Sequence, residues 1–157
     1  MIKDIDIVIY GATGFTGQLC VKYFQSLNRD IKWAIAGRNL GKLENVASKF
    51  STNVEILVAD SDDEKALKDI CSRSKVVLST AGPFHRYGSK LVASCIENET
   101  HYVDITGENF WVKGLIEKHH KEAARKGIRV IPSCGFDSIP SDIGTFFAVR
   151  SLNKPVK

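Results

Sequence analysis

The chain has 157 residues, of which 43% are hydrophobic and 25% charged, a size and composition typical of one globular domain with a substantial core. Its net charge of +4 comes without a block of lysines and arginines and without interleaved aromatic residues, so we expect no nucleic-acid partner. No apolar run approaches the roughly 20 residues of a membrane-spanning helix, so we expect no transmembrane segment.

The N-terminus and the cysteines favour a reducing compartment. Residues 1–4 lead directly into a strand pattern, unlike a signal peptide. The four cysteines are scattered, with neither a CxxC spacing nor a histidine at zinc spacing: Cys20, Cys71, Cys95 and Cys134. We interpret them as reduced thiols on core faces and predict no metal site. We expect a cytoplasmic protein, and peripheral membrane association of a longer form stays open.

Strand-like and helical patterns alternate along the chain. The first is Ile5–Tyr10, a short apolar run typical of a strand buried on both faces. Further strand-like runs follow at 33–36, 54–58, 76–78, 102–103 and 128–131. Helical patterns occupy 14–27, parts of 40–50, 66–70 and 91–96, and 111–126, and a last helix is predicted to begin near Ile139.

Local signals mark several helix ends. Asn39 is predicted to cap the second helix, and residues 61–64, Ser-Asp-Asp-Glu, have the pattern of a capping box that opens the third. Gly127 suits the end of the helix over 111–126, and Pro140 suits the first turn of the last helix.

This alternation predicts an α/β fold with a doubly wound parallel sheet, the Rossmann fold. The connections between the six runs are too long for hairpins, and right-handed crossovers favour the strand order 3-2-1-4-5-6. Ligands of such sheets bind at the carboxyl ends of the strands, where the order reverses between strands 1 and 4.

A glycine-rich segment follows the first strand: Gly11, Ala12, Thr13, Gly14, Phe15, Thr16 and Gly17. Gly11 permits a sharp turn, Gly14 lets the backbone approach a pyrophosphate, and Gly17 lets the next helix pack closely. The N–H groups at the start of that helix, with the positive end of its dipole, bind phosphates. Because the segment follows a strand and opens a helix, we predict a dinucleotide site rather than a turn without a ligand.

The end of the second strand indicates which dinucleotide binds. A domain that prefers NAD has Asp or Glu there for the ribose 2′-hydroxyl, whereas this chain has Arg38. A guanidinium can pair with a 2′-phosphate in bidentate fashion, so we predict NADP(H). Lys42, one helical turn later, is a candidate second cation, and the alternative for both side chains is a solvated surface position.

Residues at the ends of the third and fourth strands complete the predicted site. Asp60 either contacts the adenine or caps a helix. Ala81 and Gly82 are small and suit a backbone that passes beneath the ribose and pyrophosphate. Pro83 either belongs to this contact or only turns the chain.

The histidines give no clear catalytic candidate. His85, Arg86 and Tyr87 form a predicted loop without an evident partner, and we interpret them as surface residues. His119 and His120 lie inside a predicted helix, and we interpret neither as a ligand. No catalytic residue is predicted.

Five segments resemble the saccharopine dehydrogenase-like oxidoreductases, in the NADP-binding domain of that superfamily, whose members include trans-acting enoyl reductases. They are GATGFTGQL (11–19), AGRNLGKLE (36–44), AGPFHRYG (81–88), CIENETHYVDITGE (95–108) and CGFDSIPSDIG (134–144). The last two are more specific than the glycine motif.

The resemblance implies an NADP(H)-binding Rossmann domain over 1–150, with 151–157 as the start of a missing C-terminal substrate domain. It implies hydride transfer in the cleft between the domains, to an imine or an activated double bond of a small-molecule substrate. The chain alone is then expected to be inactive, and it could self-associate as a homo-oligomer. The alternative is an NADP(H)-binding regulatory or scaffold module without catalysis.

The segment before the last helix belongs to the same expectation. We hypothesise that Asp137 and Ser138 face the interdomain cleft at the nicotinamide end. The alternative is a capped helix start without a ligand contact.

Overall fold

The apolar runs pair side by side in one parallel sheet. The structure, a computed structural model, describes residues 3–27 and 29–152. Within these residues the sheet has the order β3-β2-β1-β4-β5-β6, and every neighbouring pair is parallel. The strands are β1 (Ile5–Tyr10), β2 (Trp33–Gly37), β3 (Glu55–Val58), β4 (Ser74–Ser79), β5 (His101–Asp104) and β6 (Val130–Ile131). The predicted Rossmann fold and strand order are confirmed.

Helices connect the strands and cover the sheet. They are α1 (Phe15–Ser26), α2 (Leu40–Lys49), α3 (Glu64–Arg73), α4 (Phe84–Tyr87), α5 (Ser89–Glu97), α6 (Asn109–Lys126) and α7 (Ile139–Ser151). Helix α4 lies in a segment that was predicted to be a loop, so that prediction is wrong. The longer helices lie where the sequence patterns predict them.

Both faces of the central strand are buried, because successive side chains of a strand point to opposite faces. Ile9 packs in one core cluster with Val21 of α1 and Leu43 of α2. Val8 packs in a second cluster with Leu91 of α5. Val8 and Ile9 are both 0% exposed, which explains the almost continuous apolar sequence of β1.

The cysteines are free thiols in the described part of the chain. Cys71 of α3 and Cys95 of α5 are buried in the core, as predicted, and their Sγ atoms lie 3.5 Å apart. Cys20 and Cys134 are half-buried.

Most of the predicted helix ends are found. The Oδ1 atom of Asn39 accepts a hydrogen bond from the N–H of Lys42 at 2.9 Å, so Asn39 caps α2. Gly127 ends α6 in the left-handed conformation with φ 68°. Helix α7 begins at Ile139 with Pro140 in its first turn.

The capping box predicted at 61–64 is wrong. The Asp63 carboxylate caps α3 instead, accepting a hydrogen bond from the N–H of Ala66 at 3.0 Å. One turn earlier, the Asp60 carboxylate accepts from the N–H of Asp62 at 2.9 Å. This Asx turn already bends the chain, so the helix starts only after Asp63.

Helix α7 is exposed along its whole length. None of its residues is buried, although it carries apolar side chains such as Phe146 and Phe147, which are 51% and 63% exposed. Most of the predicted start of a further domain, residues 153–157, lies outside the described residues. Within 3–27 and 29–152, no helix combines the length and hydropathy that a membrane crossing requires.

Two helical glycines should respond to alanine in opposite directions. A Cβ at Gly17 would clash with the carbonyl oxygen of Gly11, so Gly17→Ala should lower the free energy of unfolding by about 3 kcal/mol or more. A Cβ at Gly114 would meet no atom within 4 Å, so Gly114→Ala should raise it by roughly 0.5–1 kcal/mol. Urea unfolding followed by circular dichroism measures both, and equal effects of the two variants would contradict the close packing of α1.

Candidate functional site

A groove of about 280 Å³ lies at the carboxyl ends of β1, β2 and β4, where the strand order reverses. This is where a doubly wound sheet is expected to bind its ligand. The residues that line it are Tyr10, Gly11, Thr13, Gly14, Gly37, Arg38, Ser61, Thr80, Ala81, Gly82 and Tyr87. The structure therefore brings several predicted site residues, separated in sequence, into one concave surface.

The floor of the groove is the turn after β1. Gly11 has φ +85°, and a Cβ on it would lie 2.8 Å from the backbone nitrogen of Ala81. Its N–H donates to the carbonyl of Ala36 at 2.9 Å, which fixes the turn to β2. The N–H of Gly14 donates back to the carbonyl of Gly11 at 3.0 Å. Only glycine fits at Gly11, because the turn requires the left-handed conformation and leaves no space for a side chain.

Helix α1 begins at this turn without a side-chain cap. Its N-cap is Gly14, whereas α2 and α3 are capped by the side chains of Asn39 and Asp63. The N–H groups of Phe15 and Thr16 have no hydrogen-bond partner among the described residues. A helix start with free N–H groups favours an anionic ligand, so its geometry suits a phosphate.

Arg38 is the cation that lines the groove. It follows Gly37 at the end of β2, and its side chain is exposed. Lys42 is also exposed, but it does not belong to the lining. Ser61, which the sequence analysis did not select, lines the same groove just after the end of β3. The sequence could have indicated Ser61 by its position directly after Asp60. Ser61 follows β3, which pairs with β2, and Arg38 follows β2.

The other predicted site residues lie around the lining. Ala12 is 0% exposed, whereas the Phe15 side chain is 84% exposed beside the start of α1. Thr16 is half-buried in the first turn of α1. Pro83 is exposed and directly precedes α4. Asp60 is half-buried and holds the Asx turn, so it is not the cap of α3.

The interpretation of His85 as a side chain without a partner is wrong. It lies on α4, and its Nδ1 atom is 2.7 Å from Oε2 of Glu108. Glu108 also accepts the N–H groups of Phe84 and His85, both at 2.8 Å. Desolvation raises the pKa of Glu108, but these donors outweigh it and leave the pKa below its ordinary value. Local sequence patterns could not reveal a pair 23 residues apart.

A second carboxylate, Asp104, ends β5 and is 1% exposed. It accepts hydrogen bonds from the N–H groups of Thr106 at 2.9 Å and Ser133 at 3.0 Å, and from the hydroxyl of Tyr102 at 2.9 Å. Its carbonyl accepts from the N–H of Cys134 at 2.7 Å. Asp104 thus ties together the turns that follow β5 and β6.

Asp137 and Ser138, which are proposed to face a cleft, belong to a tight turn from Gly135 to Ser138 that precedes α7. The N–H groups of Ser138 and Ile139 donate to the carbonyl of Gly135 at 3.1 and 2.9 Å. The side chain of Ser138 makes no capping hydrogen bond to α7. Asp137 is exposed, and its role in a cleft stays a prediction.

The environment of Asp104 predicts how its substitutions affect stability. Burial raises its pKa, although its hydrogen-bond donors oppose the rise. Because the folded-state pKa of Asp104 is raised, its protonation stabilises the folded protein fully below the unfolded-state pKa. This contribution to the free energy of unfolding is lost as pH rises through the folded-state pKa. Asp104→Asn should remove this dependence. Asp104→Ala leaves buried donors unpaired and should cost about 3 kcal/mol or more at any pH.

Urea unfolding of the wild type and both variants between pH 4 and pH 8 measures these effects. We expect the free energy of unfolding of Asp104→Asn, relative to that of the wild type, to be higher at pH 8 than at pH 4. The opposite trend would show that the hydrogen bonds to the carboxylate, rather than its burial, dominate.

Comparison with known proteins identifies the family. Residues 7–131 match the family described as Saccharopine dehydrogenase NADP binding domain. The trans-acting enoyl reductase of Mycobacterium leprae is 41% identical over 153 residues, which cover 96% of this chain and 37% of that protein. Its counterpart in Mycobacterium tuberculosis strain H37Rv is 40% identical over 151 residues, which cover 94% and 36%.

A solved structure agrees with the fold. Apo histidine-tagged saccharopine dehydrogenase (L-Glu forming) from Saccharomyces cerevisiae has a TM-score of 0.78 at 20% identity, covering 93% of this chain and 31% of that chain. The chain thus spans about a third of the length of these relatives. The match over residues 7–131 shows that the chain belongs to the saccharopine dehydrogenase family of NADP-binding domains.

Proposed function

We propose that the chain binds NADP(H) in the groove at the β1–β4 switch and serves as the cofactor domain of an oxidoreductase. One observation carries this proposal. The uncapped start of α1 and the guanidinium of Arg38 belong to the same groove, although they follow different strands. A dinucleotide with a 2′-phosphate has anionic groups suited to both positions.

Each part of the groove suits a different part of the cofactor. The free N–H groups of Phe15 and Thr16 would hold the pyrophosphate, and Arg38 would hold the 2′-phosphate. Ala81 and Gly82, which have little or no side chain, would let the ribose approach the backbone. The bound cofactor supplies or accepts a hydride at its nicotinamide ring.

We propose that three further residues, Ser61, Lys42 and Asp60, contribute to the binding of the cofactor. Ser61 lines the groove and could donate its hydroxyl to a phosphate oxygen or to the adenosine. Lys42 lies outside the lining, so we propose that it adds long-range attraction rather than a direct contact. Asp60 uses its carboxylate in the Asx turn and is proposed to shape the adenine end.

For the whole protein we propose reduction of an activated double bond. The support is that relatives named trans-acting enoyl reductase are 40–41% identical, whereas the saccharopine dehydrogenase structure is 20% identical. An imine is the alternative hydride acceptor. The protein would be cytoplasmic, and its substrate a small molecule bound through a further domain.

We also propose where that further domain packs. Helix α7 presents side chains such as Ile143, Phe146 and Phe147 to solvent, each more than 40% exposed. Apolar surface of this kind is usually covered by another part of a protein. The cofactor domain would then comprise residues 1–150, and the segment from 151 onward would lead into the substrate domain. A homo-oligomer covering the same helix is the competing arrangement.

Arg38→Ala should weaken NADPH binding by roughly one to two decades while leaving NADH binding almost unchanged, because only NADPH has the 2′-phosphate. Lys42→Ala, at an exposed lysine outside the groove lining, is the matched control and should change NADPH affinity by less than about twofold. Calorimetric titration with both cofactors measures this. Equal affinity of the wild type for NADPH and NADH would refute the assignment of Arg38.

The full-length protein should oxidise NADPH when supplied with an α,β-unsaturated thioester, and the 157-residue chain should bind NADPH without turnover. NADPH absorbance with the thioester and, separately, with a cyclic imine distinguishes the two acceptors. Turnover with the imine alone would overturn the proposed acceptor. Tight NADPH binding by the full-length protein without turnover on either would favour the regulatory or scaffold alternative.

A further inference from the structure

One carboxylate joins the wall of the groove to the start of α6. Glu108 precedes α6, and it accepts the N–H groups of Phe84 and His85 and contacts the imidazole of His85. A carboxylate with a lowered pKa only accepts hydrogen bonds. The Nδ1 atom of His85 must therefore carry the proton of this contact, which leaves Nε2 as the free acceptor in the neutral ring.

Helix α4 is also held by Trp111 of α6. The Trp111 ring lies 5.8 Å from the ring of Phe84 in α4, and the indole Nε1 donates at 2.9 Å to the hydroxyl of Ser89, the first residue of α5 just after α4. A Cβ on Gly88 would lie 2.6 Å from the indole, so α4 can approach α6 only through a glycine at this position. Contacts with Trp111 and with the start of α6 thus fix the position of α4.

The segment held in this way forms part of the groove. Ala81 and Gly82 line the groove just before α4, and Tyr87 lines it as the last residue of α4. The Glu108 side chain is only 22% exposed, so water competes weakly for its hydrogen bonds. A displacement of α4 would move both the small residues and the tyrosine of the wall.

We propose that Glu108 is a positioning residue of the groove: it fixes α4, and with it Tyr87, and it holds His85 in the Nδ1–H tautomer. The consequence for NADPH affinity rests on the proposed function, whereas the effects on α4 and on the tautomer do not. Glu108 acts through the groove wall and is not assigned a contact with the cofactor.

The test compares Glu108→Gln with Glu117→Gln, a matched change at an exposed glutamate within α6. Backbone amide and imidazole ¹⁵N resonances are measured without nucleotide, and NADPH affinity is measured by calorimetry. Glu108→Gln should shift the amides of Phe84 and Tyr87 and move the His85 proton away from Nδ1. It should also weaken NADPH binding roughly tenfold, because a preorganised wall is lost. Glu117→Gln should change none of these.

His85 variants keep the proposal testable if Glu108→Gln does not fold. His85→Asn retains an N–H donor near the place of Nδ1 and should bind NADPH like the wild type. His85→Ala removes the donor and should shift the Tyr87 amide and weaken NADPH binding by at least about twofold.

Specific outcomes would overturn the proposal. Unchanged Phe84 and Tyr87 amides, or an unchanged tautomer, in Glu108→Gln would show that Glu108 does not position α4. Shifted resonances with wild-type NADPH affinity would make Glu108 a structural cap only. If the wild type itself fails to bind NADPH, the proposed function is wrong, and the nucleotide-free resonances still decide the role of Glu108 in positioning α4.

Discussion

Helix α1 approaches the turn after β1 so closely that the position of Gly17 has no space for even a methyl group. This contact sets the start of the helix directly against the strand it follows. The turn itself, at Gly11, packs on the backbone of Ala81, so the same contact reaches the loop after β4. Three chain segments therefore meet in direct contact, and the hydroxyl of Thr80 joins the loop after β4 to the turn by donating to the carbonyl of Gly11 at 3.1 Å. These segments meet at the floor of the groove. Their close packing fixes the position of the free N–H groups at the start of α1.

The two sides of the groove rely on different interactions. The side formed by β1 and β2 depends on steric fit between backbones, which salt and pH scarcely change. The side beyond β4 depends on carboxylates: Asp104 joins the turns after β5 and β6, and Glu108 joins α4 to α6. Charge-assisted hydrogen bonds are stronger than neutral ones but respond to protonation. The side of the groove beyond β4 is thus the part more sensitive to pH and to ionic strength.

Local sequence patterns predicted those features that depend on neighbouring residues. Four such features were predicted correctly, because each follows from the conformational preference of a few adjacent residues. They are the strand β1, the glycine turn, the cap at Asn39 and the end of α6 at Gly127. The fold and strand order followed from right-handed connections. The cap of α3 was misassigned because the Asx turn at Asp60 competes with the capping pattern that follows it.

Contacts between distant segments could not be read from local patterns. The bond between His85 and Glu108 forms only after α4 and α6 pack, and the place of Ser61 in the groove depends on the neighbouring strands. Arg38 was predicted to contact the cofactor from its position after a strand, and its exposed side chain contributes little to core packing. A substitution of Arg38 would therefore change the cofactor preference of a related domain without disturbing its core. A change between the phosphorylated and unphosphorylated dinucleotide would need few compensating substitutions elsewhere in the fold.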